Sequence, residues 1–108
     1  MGWIIQIIKS RFIFNTLILE EVKMYELKTY NEKIKKKIEE YVFNRKSIRD
    51  KLEMLKQNPR RNCGAHPLHG RLAGKWACWL GTDIRLIYKI NDSDKIILAE
   101  AIGSHKVY

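Results

Sequence analysis

Only two cysteines, Cys63 and Cys78, occur in the chain. A disulfide-scaffolded secreted module usually carries four or more, so the pair reads as reduced, buried thiols of a cytoplasmic protein. Two prolines and six glycines are too few for a collagen-like or linker sequence. No clean apolar run reaches the ~18–20 residues that cross a bilayer. The most apolar segment, Trp3 to Leu19, is interrupted by Lys9, Ser10, Arg11, Asn15 and Thr16. It has no basic stretch ahead of it and no small-x-small cleavage site, so it is neither a membrane span nor a signal peptide. Acidic residues are scarce as well. Twelve Asp and Glu stand against 21 Lys and Arg, a net charge of +9. Such a surplus points to an anionic partner: nucleic acid, an acidic protein or a membrane surface.

What is present suits one domain. The 108 residues are 45% apolar and 31% charged, enough to bury a core and too short for two domains. Residues 1–23 differ from the rest: twelve of them are large and apolar, with no steady period. Three readings are open for this extension. It is an additional packed element, an interfacial anchor, or upstream sequence translated from a start assigned too early. The third is favoured, because the domain beginning at Met24 looks complete without it.

From Tyr30 the apolar period is helical. Ile34, Ile38, Tyr41 and Val42 form one stripe, and Ile48, Leu52 and Leu55 a second, out of phase with the first. Two helices in a hairpin are predicted, the first capped by Asn31 and the second by Asn44 or Ser47. Asn58-Pro59 ends the second, since the residue before proline is pushed out of helical geometry. Between Tyr30 and Arg61 lie eleven Lys/Arg and five Asp/Glu, with Lys33, Lys35, Lys36 and Lys37 expected on a solvated face.

Beyond Pro59 the period becomes that of strands. Lys75 to Leu80 alternates Trp76, Cys78 and Leu80 against Ala77 and Trp79. Asp83 to Ile90 alternates Ile84, Leu86, Tyr88 and Ile90 against Arg85, Ile87 and Lys89. A third strand, Lys95 to Ile102, follows the turn Asn91-Asp92-Ser93-Asp94. Short connections imply antiparallel pairing. With a short strand at Tyr25–Lys28, the expectation is an α+β fold: an N-terminal helix hairpin packed on a small antiparallel sheet.

The sheet face away from the helices is free to carry a site. His66, Asp83 and His105 all fall at loop–strand junctions, where functional side chains concentrate. Two imidazoles and a carboxylate suffice for acid–base chemistry near neutral pH. Arg60, Arg61, Arg71, Lys75 and Arg85 are candidates to hold phosphate, and Trp76, Trp79 and Tyr108 to stack on unpaired bases. A structural zinc on Cys63, His66, His69 and Cys78 is disfavoured by spacing unlike the paired ligand motifs.

Three stretches carry a resemblance. Met24-Tyr25-Glu26-Leu27-Lys28, then HPLHGRLAGKWACWLGTDIRLIYKI (66–90) and ILAEAIGSHKVY (97–108) resemble the RelE/ParE superfamily of toxin–antitoxin toxins, nearest its YafQ-like branch. The most specific pieces are His66-Pro67-Leu68-x-Gly70, Asp83-x-x-Leu86-Ile87-Tyr88 and Gly103-Ser104-His105 with Tyr108 close behind. The likeness spans residues 24–108 and implies the RelE-like toxin fold. It further implies a metal-independent endoribonuclease that cuts mRNA on the ribosome and is silenced by a cognate antitoxin in a hetero-oligomer. On that resemblance His66, Asp83 and His105 are catalytic, while Arg71, Lys75, Trp79, Arg85 and Tyr108 bind substrate. No cofactor and no membrane are implied. Two departures stand out: Trp79 occupies a position where the branch carries a further histidine, and Tyr108 follows His105 by three residues where four is usual. The superfamily also implies two alternatives, a ParE-like inhibitor of DNA gyrase and a catalytically weak remnant that only binds an antitoxin.

Overall fold

A computed structural model describes residues 24–81 and 83–104. The 1–23 extension, Thr82, His105 and Tyr108 lie outside the described residues. The elements run β1 (Glu26–Thr29), α1 (Glu32–Asn44), α2 (Lys46–Gln57), β2 (His66–Pro67), β3 (Trp76–Trp79), β4 (Arg85–Asn91) and β5 (Ile96–Gly103).

Local sequence explains the helical boundaries. The Asn31 side chain accepts a hydrogen bond from the Ile34 amide at 2.9 Å, satisfying one orphan donor of the first turn of α1. Neither Asn44 nor Ser47 caps α2. That position belongs to Arg45, a single extended residue (φ −137°, ψ 107°) that ends one helix and begins the next without a side-chain cap. Asn58 closes α2 in extended geometry, as its position before proline requires. The apolar stripes then face one way: Ile38 from α1, and Ile48, Leu52 and Leu55 from α2, are buried against the sheet.

The sheet order is β1-β5-β4-β3-β2. All neighbours pair antiparallel except β1 and β5, which run parallel. The connection from β1 to β5 runs through the helix hairpin and then β2–β4, long enough for parallel pairing. The meander buries Cys78, Leu86, Tyr88, Ile97, Ala99 and Ile102 under the helices. Each fully buried Ile or Leu contributes roughly 1.5–3 kcal/mol relative to exposure. The buried phenol of Tyr88 donates to the Pro59 carbonyl at 2.6 Å, tying the sheet to the end of α2.

Strict alternation along β5 does not hold. Ile87 pairs with Ala101 but Tyr88 with Ala99, so Glu100 is an extra residue that bulges from the ladder. The bulge puts Ile102 in phase with Ile97 and Ala99 on the core side, and shifts Ala101 to the opposite face. The turn before β5 is the predicted one: the Asn91 side chain accepts from the Asp94 amide at 3.0 Å, and Lys95 closes it in left-handed geometry (φ 56°).

Candidate active site

The face of the sheet turned away from the helices is built in rows by cross-strand register. One row is His66, Ala77, Ile87 and Ala101; the next is Trp79, Arg85 and Gly103. His66 begins a short strand. The two-residue strand β2 pairs it with Ala77, which places its side chain on the same face as Trp79 and Arg85.

A tight turn prepares the imidazole. Cys63 and Gly64 are both left-handed (φ 59° and 65°), a geometry glycine adopts without penalty. The turn aims the Gly64 carbonyl at His66 Nδ1, 3.1 Å away. A carbonyl only accepts, so Nδ1 carries the proton and donates, and the neutral ring keeps its lone pair on Nε2. Gly64 also closes on Trp79: a Cβ at this position would lie 3.2 Å from Trp79 Cδ1. The Arg85 guanidinium stacks 4.3 Å from the Trp79 ring centroid, within cation–π range.

Asp83 stands at the edge of this face and faces a different partner. Arg45 donates to its carboxylate at 3.0 and 3.5 Å. That hydrogen bonding, more than charge alone, holds the Asp83 carboxyl below the ordinary carboxylate range and raises Arg45. The pair is half exposed. The break between the helices thus supplies the guanidinium that fixes the loop before β4. An open groove lined by Lys51, Cys63, Gly64, Trp79 and Gly81 joins the two sides. Gly64 at one end accepts from His66; Gly81 at the other lies beside Arg45 and Asp83.

The remaining candidates separate. Lys75 forms an ion pair with Glu100 at 2.7 Å. Arg71 is exposed on the helical turn Gly70–Leu72. Arg60 is not a free phosphate ligand: it holds Asp92 through two bonds of 2.9 and 2.8 Å and lies over Trp76. Trp76 itself packs against the core on the helix side and does not join the stacking face. His105 and Tyr108 lie outside the described residues. Among the described residues no group of three His, Cys, Asp or Glu assembles to hold a metal ion. The Cys63 thiol faces the Lys51 carbonyl at 3.2 Å, while Cys78 is buried in the core and its thiol is pushed strongly up by desolvation. Among the described residues no helix is long and apolar enough to cross a membrane.

Sequence reasoning missed Arg45, the Gly64 carbonyl and Glu100. Arg45 sits in the interval where the helical stripes change phase, a detectable signal. The other two depend on turn geometry and a bulge that no local pattern announces.

Comparison with known proteins bears on the family and the fold. Residues 22–107 match the family model described as the bacterial toxin of type II toxin–antitoxin systems, YafQ. No curated protein matches significantly. Among solved structures, the fold is similar to the toxin–antitoxin complex RelBE2 from Mycobacterium tuberculosis (TM-score 0.61, 16% identity, covering 77% of this chain and 100% of that one). It is also similar to the archaeal RelE–RelB complex from Pyrococcus horikoshii (TM-score 0.57, 22% identity, 76% and 96%) and to YafQ from E. coli (TM-score 0.52, 21% identity, 76% and 94%).

Proposed function

The chain belongs to the YafQ family of bacterial toxins of type II toxin–antitoxin systems, and from that membership and the sheet face away from the helices we propose an endoribonuclease that cuts mRNA on the ribosome. The observation that carries the reading is the His66 imidazole, oriented by the Gly64 carbonyl on the same face as the Trp79–Arg85 stack.

Cleavage through the 2′-OH needs that hydroxyl deprotonated, the leaving 5′-oxygen protonated and charge on phosphorus stabilised. His66 takes the first role, since Nε2 retains the lone pair. Asp83 is a poorer base, because Arg45 holds its carboxyl low; it serves by fixing the loop and the local field. His105 protonates the leaving oxygen. Each acid–base group supplies ~10²–10⁴-fold in rate. Arg85 and Arg71 bind phosphate, Lys75 being held by Glu100 at 2.7 Å, and Trp79 and Tyr108 stack on bases. No metal or cofactor enters this scheme.

The same membership assigns a partner. RelE–RelB and RelBE2 are toxin–antitoxin complexes, and a cognate antitoxin covering part of this +9 chain in a hetero-oligomer silences it in the cytoplasm. The domain that does this spans residues 24–108, with 1–23 as an extension. Primer extension on mRNA after induction tests the reading. Discrete breaks within translated codons are expected with wild type and absent with His66→Ala; intact mRNA together with DNA damage would replace it with gyrase poisoning.

A further inference from the structure

A third row crosses the open face below His66. It runs Lys89, Leu98 and Lys28 through β4, β5 and β1, with Lys75 one residue ahead of β3. Two lysines on neighbouring strands repel, and the bulged Glu100 answers both unequally. It holds Lys75 at 2.7 Å and is itself only 14% exposed. Lys89 reaches its second oxygen at 3.7 Å and remains 54% exposed. The carboxylate therefore fixes Lys75 and leaves Lys89 able to turn toward another anion.

On the far side of Lys89 the surface sinks into a groove of about 650 Å³. Its walls include Lys28, Lys89, Asn91 and Ser93, and its floor includes Ile96 and Leu98. Asp92 also borders it, but its oxygens are occupied by Arg60 at 2.9 and 2.8 Å and by the Tyr25 hydroxyl at 2.6 Å. The exposed cations of the groove are Lys28 and Lys89, the latter only in the 3.7 Å contact with Glu100; the Glu26 carboxylate stands on the same face of β1, opposite Ile96.

We propose that this groove binds one nucleotide of the single-stranded RNA that occupies the His66 face, with the base on Ile96 and Leu98 and flanking phosphates on Lys28 and Lys89. The inference rests on the endoribonuclease reading. The volume falls in the ordinary range of small-ligand sites, and an apolar floor accepts the flat face of any base. Ser93 borders the groove on its polar side, while the Asn91 side chain is held by Asp94 through both its oxygen and its nitrogen. Lys89 lies four residues from Arg85 along β4, about 13 Å in an extended strand. RNA leaving the Trp79–Arg85 stack therefore reaches the groove within a few nucleotides. Cations at both ends and continuity with that face favour RNA over a protein segment.

A short 2′-O-methyl oligoribonucleotide resists cutting through the 2′ oxygen, so its binding is measured apart from cleavage. Anisotropy titrations over a salt series compare the full wild-type chain with Lys28→Ala and Lys89→Ala. Each variant is expected to weaken binding roughly three- to tenfold at low salt and to reduce the logarithmic salt slope by ~0.7 for each phosphate it no longer neutralises. Thermal melting of these exposed variants serves as the folding control. Wild-type affinity in both variants would overturn the groove while leaving the cleavage reading intact. No binding by wild type itself would overturn the RNA reading of the whole face. Weakened antitoxin binding with RNA binding unchanged would make the groove a protein-docking surface and overturn the proposal.

Discussion

Trp79 and Arg85 are direct cross-strand partners, and the guanidinium of one lies 4.3 Å from the ring centroid of the other. The stack keeps an aromatic surface and a positive charge side by side at the edge of the open face. Trp79→Phe preserves an aromatic face for the guanidinium and is expected to retain most RNA affinity. Trp79→Ala removes the platform and should weaken oligonucleotide binding by roughly tenfold or more, given ~1–3 kcal/mol per stacked base. Parallel affinity and melting measurements separate this from a folding defect.

Gly64 serves two neighbours at once. Its carbonyl accepts from His66, and its missing side chain admits Trp79 Cδ1 to within 3.2 Å of where a Cβ would sit. Gly64→Ala therefore combines left-handed strain with a forced shift of the tryptophan. The expected cost is about 1–2 kcal/mol of stability, with a loss of cleavage larger than that destabilisation explains. Denaturant midpoints and initial rates, compared at a temperature where the variant stays folded, check this.

Acid sensitivity follows from two carboxylates. Hydrogen bonds from Arg60 and Tyr25 hold Asp92 at about 2, and Arg45 lowers Asp83, whereas an unfolded aspartate titrates near ~3.9. Between these values the unfolded chain binds more protons, so stability rises with pH across the window and is complete above it. Urea midpoints should fall as pH drops from about 5 toward 2. Asp92→Asn should flatten that decline, and an unchanged slope in the variant would remove Asp92 from the explanation.

His105 follows Gly103-Ser104 in the sequence, directly after β5. His105→Gln keeps polarity and rough size but cannot shuttle a proton at neutral pH. Cleavage should fall by about 10²-fold or more with melting temperature nearly unchanged. Full activity would reduce His105 to a binding residue.

Much of this was legible in the sequence because single-residue chemistry controlled it. Asn31 caps α1 through its own side chain, Pro59 stops α2, and alternation in Trp76–Leu80 and Ile84–Ile90 assigns both faces of the meander. The limits are equally specific. The parallel register of β1 with β5 is a long-range pairing across the whole hairpin and meander, so Tyr25–Lys28 alone cannot reveal it. The Glu100 bulge reverses the phase of β5 partway along, and a simple alternation runs straight through it. Composition marked Arg60 and Trp76 as RNA-binding candidates, but charge and aromaticity carry no information about partners: Asp92 takes the former, and the core side takes the latter. Pairing of Asp83 with Arg45 joins residues far apart in sequence and depends on one extended residue between two helices.

The proposed activity depends on cleavage through the 2′ oxygen of the nucleotide ahead of the break. The direct measurement uses one programmed mRNA, all-ribose or with a single 2′-deoxy substitution at the scissile nucleotide, presented on ribosomes to the purified toxin. Cutting of the ribose message and none at the substituted position is the expected result. Cutting that persists at the deoxy position would contradict the mechanism.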